Sequence, residues 1–303
     1  MQAGSDFLQN LVSPRKLTTI VDIGANPIDG DPPYQRMLEQ GLCQVIGFEP
    51  QQDALRDLLQ RKGPLETYLP YAVGDGEQHT LYYCAASGMT SLLKPDQRYL
   101  SAFNEFEMLG EVVSTELIPT KCLDDISEIT DLDMLKIDVQ GSELAVFESG
   151  RSNLESAVVI QAEVSFMPLY EDQPMFWEID CELRRQGFVP HAFATVKHWP
   201  ISPYSHPENN RMAVHQLLEA DTVYVKDFVN DDSLTDEQVK QMALIAHHCY
   251  GSYDLVTRCL SILANRGAIP GSALSHYRRH LFPRHNFLGD FSIEGIPVSP
   301  TKK

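Results

Sequence analysis

Short apolar, β-branched runs alternate along the first 190 residues with stretches whose apolar positions recur at helical spacing. LTTIVDI at 17–23 reads as a buried parallel strand, and the polar stretch 32–40 behind it has weaker helical character. QVIGFEP at 44–50 precedes DALRDLLQR at 53–61, where Ala54, Leu55, Leu58 and Leu59 fall on one helical face. The rhythm continues through ETYLPYAVGD, the alternating HTLYYC, DMLKIDV at 133–139 and the helix-like ELAVFES. AVVIQAEVSF at 157–166, the helical PMFWEIDCELRRQ and GFVPHAF follow. Such alternation predicts a doubly wound α/β sheet.

After His191 the pattern breaks. Residues 194–216, with three prolines, read as a long loop over a sheet edge, and DTVYVKD at 221–227 as one more strand. From Ser233 the period becomes helical again, opened by Thr235 with Gln238 three residues on, a capping-box signature. Further helices are predicted over 252–265 and 272–282. The change places a boundary near 230, dividing a domain at 1–230 from a helical appendage and tail at 231–303.

Composition adds exclusions. Hydrophobic residues make up 43% of the 303 and charged ones 22%, a globular balance, while the formal charge of −18 repels a phosphate backbone and argues against a nucleic-acid partner. The start MQAGSDFLQN lacks the marks of a signal peptide and no apolar run is long enough for a bilayer, so a cytoplasmic protein without a membrane partner is expected. Six scattered cysteines never form CxxC, which signals free thiols.

The chemistry begins at VDIGANPIDG, residues 21–30. A dinucleotide fold places GxGxxG at this turn to bring bare backbone against a pyrophosphate, but that pattern is missing, and Pro27, Pro32 and Pro33 remove donors a phosphate cradle would use. Asp22, ending the first strand, suits an ammonium. Glu49, 27 residues later at the end of the second, suits the two hydroxyls of a ribose. Adenosine with a cationic, phosphate-free tail satisfies both, and S-adenosyl-L-methionine has that form.

VDIGAN, GFEP, AVGD at 72–75, MTSLL at 89–93, TKCLDDI at 120–126, LKIDVQGSE at 135–143 and EVS at 163–165 together resemble, in order and spacing, the FkbM family of S-adenosylmethionine-dependent methyltransferases, over about residues 17–227. The resemblance implies a class I methyltransferase fold, Rossmann-like, with seven strands of which one, assigned to 221–227, is antiparallel. It implies methyl transfer, usually to a hydroxyl of a small-molecule or glycan acceptor. It assigns Asp22, Gly24, Ala25 and Asn26 to the methionine end, Glu49 with Pro50 of GFEP to the ribose, and Ala72 and Val73 to the adenine. Two departures stand out: NPIDGDPPY replaces a plainer turn, and Gln140 stands where the family more often has Glu.

An aliphatic hydroxyl needs help to lose its proton. Asp138, at the end of the fourth strand, and Glu163, in the fifth, are the candidate carboxylates; His191 is the candidate among histidines near the cleft, with His198, His206 and His215 close by. The alternative role for Asp138 is to cap the following helix across Gly141 and Glu143. No metal site is expected, since His276 and His280 share a helix face without a third ligand. The remaining alternative to an enzyme is a noncatalytic methyltransferase-fold scaffold. The apolar faces predicted within 233–282 point to self-association or closure of the acceptor cleft, and HYRRHLFPRHNF is a local basic segment.

Overall fold

The computed structural model describes residues 6–27, 30–212 and 214–283. The strands in chain order are β1 (Thr18–Ile23), β2 (Cys43–Phe48), β3 (Glu66–Leu69), β4 (Ala72–Gly74), β5 (Gln78–Cys84), β6 (Val112–Cys122), β7 (Met134–Ile137), β8 (Val159–Ser165), β9 (Phe188–His198) and β10 (Leu217–Lys226). The helices are α1 (Phe7–Val12), α2 (Gln35–Glu39), α3 (Gln52–Arg61), α4 (Gln97–Leu100), α5 (Phe106–Leu109), α6 (Glu143–Ser149), α7 (Arg151–Ser156), α8 (Phe176–Arg185), α9 (Asp236–His248), α10 (Tyr253–Asn265) and α11 (Ala273–Leu281).

Seven strands form the main sheet in the order β3-β2-β1-β7-β8-β10-β9. β10 runs antiparallel to both neighbours while the others are parallel, the arrangement of a class I methyltransferase. Each central strand is buried on both faces, which is why these segments read as continuous apolar runs. Val21, Leu135, Ile160 and Tyr224 pack under Val146 and Phe147 of α6, Leu154 of α7 and Leu183 of α8. On the opposite face Ile20, Val45, Met134, Val159 and Val223 meet Val239, Met242 and Ile245 of α9 and Leu260 of α10.

The five-residue α2 is too short to cover that second face, and α9 completes the layer. The predicted capping box holds its N-terminus: Thr235 Oγ1 accepts from the Gln238 N–H at 3.2 Å, and Gln238 Oε1 from the Thr235 N–H at 3.0 Å. Within α9, Gln241 is fully buried and accepts from the Thr18 hydroxyl at 2.7 Å, tying the helix to the start of β1. The helices beyond 230 therefore share one core with the sheet, and the apolar faces read as available for self-association are buried within the chain. The tail beyond 283, including the end of the basic segment, lies outside the described residues.

Two segments depart from the sequence reading. β9 extends to His198, so residues 194–198 are strand and the connecting loop begins at Trp199. β9 is the sheet's outer strand and its residues from Ala192 onward are mostly exposed, so no apolar run marks it, and its Pro190 is tolerated at an edge. Between β3 and β7 the chain leaves the main sheet: β4, β6 and β5 form a second, three-stranded sheet in that order, parallel between β4 and β6 and antiparallel between β6 and β5, and the α4–α5 segment packs Leu100, Phe103 and Phe106 against Leu169, Tyr170 and Leu218. This cap stands over the C-terminal ends of the central strands.

Candidate active site

A cavity of about 610 Å³ opens at those strand ends, beneath the cap. Its first end is built by the turn after β1. Gly24 adopts φ +78°, and a Cβ there would lie 2.0 Å from the Asp138 carbonyl oxygen, so only glycine lets the turn pass the end of β7. The N–H groups of Gly24 and Ala25 both donate to Phe48 O, at 3.0 and 3.1 Å, fastening the turn to β2.

Asp22 is 2% exposed. Its Oδ2 accepts from the Tyr34 hydroxyl at 2.5 Å, and Lys136 Nζ stands 3.3 Å from Oδ1 while donating to Gly24 O at 3.1 Å. Among the described residues, nothing donates a hydrogen bond to Oδ1. Burial pushes the Asp22 carboxyl up from the ordinary carboxylate range, against Lys136 and Tyr34. At Lys136 burial acts to lower the pKa, but Asp22 and Asp138 outweigh it and hold the ammonium protonated. Glu49 is 3% exposed, accepts from the Gln51 N–H at 2.8 Å, and is likewise pushed up by burial. Asn26, Pro50, Ala72 and Val73 complete this end of the wall.

The second end is a polar step across four strands. Lys136 is registered with Gln161, Glu163 with Asp221, Asp221 with Thr195, and Glu219 with Lys197. Each strand carries its two polar residues two positions apart, so all project on the face that α9 covers lower down. Lys197 Nζ is 2.6 Å from Glu219 Oε1 and 3.5 Å from Glu163 Oε1, and the Thr195 hydroxyl bonds Asp221. Tyr250, in the α9–α10 turn, donates to Gln161 at 3.0 Å and lines the cavity. Phe106 and Trp199, edge to face at 4.7 Å, contribute to the apolar roof.

The structure separates the catalytic candidates. Asp138 faces the cavity. Glu163 lies behind the wall, 6% exposed, with burial first and then Asp138 and Glu219 pushing its carboxyl well up. Gln140 Nε2 joins the two, donating at 2.8 Å to Asp138 Oδ1 and at 2.8 Å to Glu163 Oε2. His191 lies outside the described cavity lining, four residues back along β9 from Thr195, and its Nε2 is 2.7 Å from the Ser252 hydroxyl. Among the described residues the N-terminus of α6 carries no side-chain cap; Glu143 instead holds the turn before it, its Oε1 accepting from the N–H groups of Val139 at 3.0 Å and Gly141 at 3.2 Å. Asp138, Glu143 and Glu163 each bring an oxygen within 4.8 Å of the others, but Glu143 is bonded to backbone and the Gln140 amide is bonded to the other two.

Sequence reasoning overlooked Lys136, Gln161, Thr195, Lys197, Glu219, Asp221 and Tyr250. The signal was present for most of them: MLKIDV, VIQAEVS and LLEADTVYV each carry two polar residues at i and i+2 near one end of an apolar run.

Among curated proteins, none matches the chain. Among solved structures it is similar to magnesium protoporphyrin IX methyltransferase from Synechocystis PCC 6803 with bound SAM, at 10% identity and TM-score 0.35 over 73% of this chain and 78% of that one. It is also similar to precorrin-6y C5,15-methyltransferase from Geobacter metallireducens GS-15, at 12% identity and TM-score 0.35 over 72% of this chain and 85% of that one. The family model described as the methyltransferase FkbM domain matches residues 22–190, from the Asp22 turn through β7 and β8 into β9. The two buried strand-end carboxylates and the apolar wall beside Ala72 fit S-adenosylmethionine, and with more than half its length inside that match the chain belongs to the FkbM family of S-adenosylmethionine-dependent methyltransferases.

Proposed function

We propose that the chain transfers a methyl group to a hydroxyl of a sugar, glycan or natural-product acceptor, with Asp138 as proton acceptor. The observation that carries this reading is the continuity of one cavity from Asp22 and Glu49 past Asp138 to Thr195, Lys197, Glu219 and Asp221. Asp22, Gly24, Ala25 and Asn26 would hold the methionine end of the cofactor, Glu49 the ribose, and Ala72 and Val73 the adenine. When bound, the cofactor supplies an electrophilic methyl carbon on a sulfonium.

The chain's own contribution is to hold the acceptor oxygen in line and to exclude water beneath the cap. Asp138 takes the proton the hydroxyl loses, which supplies the assistance an aliphatic alcohol needs. Beyond it the wall offers an ammonium, a hydroxyl and two carboxylates within one step, so both donors and acceptors meet a polyhydroxylated group, and Trp199 and Phe106 meet its C–H faces. The charge of −18 disfavours a strongly anionic acceptor.

Calorimetry with S-adenosylhomocysteine tests the cofactor end: Glu49→Ala is expected to weaken binding by about 1.5–3 kcal/mol, the scale of a hydrogen bond to a charged group. A mass gain of one methyl on a hydroxyl of a sugar-bearing acceptor supports the assignment. Methylation confined to nitrogen or nucleic acid overturns it, and cofactor binding without turnover of any hydroxyl acceptor would favour a scaffold.

A further inference from the structure

Gln140 has φ +56°, the left-handed region that a side chain with a Cβ disfavours, and it lies in the cavity wall. The surrounding contacts hold it there. Its carbonyl accepts from the Ser91 hydroxyl at 2.7 Å, Glu143 clamps the N–H groups on either side, and Gly141 follows at φ +103°. The side chain is as fully committed. A primary amide has two N–H donors, and Gln140 uses one on Asp138 and one on Glu163, while its Oε1 accepts from the Tyr170 hydroxyl at 3.0 Å. With Oε1 on the tyrosine, the amide nitrogen is directed at the carboxylates.

We infer that Gln140 is the positioning residue of the acceptor end: its amide ties Oδ1 of Asp138 to Glu163 behind the wall and so leaves the other Asp138 oxygen for the acceptor hydroxyl. This rests on the reading of Asp138 as proton acceptor. A neutral donor suits the place, because it stabilises two carboxylates without adding charge to a neighbourhood that also holds Glu143 on α6, Lys197 on β9, Glu219 and Asp221 on β10, and Lys136 on β7. The strained backbone is the cost of aiming that amide inward.

Gln140→Glu keeps the length and removes the donors; Gln140→Met removes them without adding charge. Both are expected to bind S-adenosylhomocysteine within about twofold of the parent, since the cofactor end is untouched, and to lose about tenfold or more in kcat. In Gln140→Glu the acid limb of the kcat profile moves to higher pH, because a new like charge stands beside the proton acceptor. A purely structural role would lower kcat equally at every pH, and that outcome, or unchanged kcat, overturns the inference. Carboxyl-carbon NMR titration of Asp138 in the cofactor-bound protein reads the same effect without an acceptor. An unshifted Asp138 titration in both variants overturns the positioning role, whereas a wild-type chain silent toward every hydroxyl acceptor strikes only the proposed function.

Discussion

At Gly24 the path of the backbone, the end of β7 and the cofactor wall meet with no room for a side chain. Gly24→Ala would place a Cβ 2.0 Å from the Asp138 carbonyl oxygen, against backbone that cannot swing away, so binding of S-adenosylhomocysteine should fall below detection by calorimetry in a chain that keeps its helical signal. Asp138 and Glu163 part company at the same scale. Asp138→Asn is expected to lower turnover by roughly 10²-fold, the usual scale for a lost general base. Glu163→Gln should lower it by less than about tenfold, because Glu163 reaches the acceptor only through Gln140 and Lys197; equal losses in a steady-state assay would put Glu163 in contact with the acceptor. The residues proposed for the cofactor could be singled out in the sequence because each sits at a strand end or turn, where one chain segment decides the local chemistry. The acceptor end was not, because Glu219 and Thr195 acquire meaning only once β10 is inserted between β8 and β9, and nothing local announces that insertion. His191 falls outside the cavity lining for the same reason, since nearness in sequence to the cleft does not say which strand position reaches it.

Elements with a buried face could be read; those without could not. β1, β2, β7 and β8 declare themselves because both faces are covered, whereas the first six residues of β6 are exposed and α4 and α5 are four residues each, too short for a helical period to register. The cap that closes the cavity was thus invisible, although MTSLL lies at its root and Ser91 of that motif bonds Gln140. The C-terminal helices, by contrast, have clear periodicity, and α9 carries a titrating group. His247 Nδ1 is 2.8 Å from the Tyr277 hydroxyl of α11, and burial, reinforced by His248, lowers its pKa to about 4. A histidine lowered from 6.5 holds its neutral partners above 6.5 and loses that contribution as pH falls toward about 4, where the unfolded chain binds the extra proton. Urea unfolding across that window should show the parent losing stability on acidification more steeply than His247→Gln; parallel pH slopes would refute a role for this group.

Among the described residues the seven-stranded sheet carries a cover on each face, and the second cover comes from the far end of the chain. Val239, Met242, Ile245, Val256, Leu260 and Leu263 are fully buried, and each contributes about 1.5–3 kcal/mol of burial, which together rivals the roughly 5–15 kcal/mol that holds a typical domain folded. A chain ending at 230 is therefore expected to be aggregated or molten, with lost near-ultraviolet circular dichroism; a monodisperse, cooperatively unfolding fragment would show that the sheet stands without α9. The covering also has a tempo. Thr18 and its partner Gln241 are 223 residues apart, and at roughly 5–20 residues per second a ribosome needs about 11–45 s to make the second after the first. Until then Ile20, Val45 and Val159 have only α1, α2 and their neighbours to lie against, and not the α9–α10 cover. A pause in translation between β10 and α9 is therefore expected to lengthen the time this half-covered apolar face is open to aggregation and proteolysis.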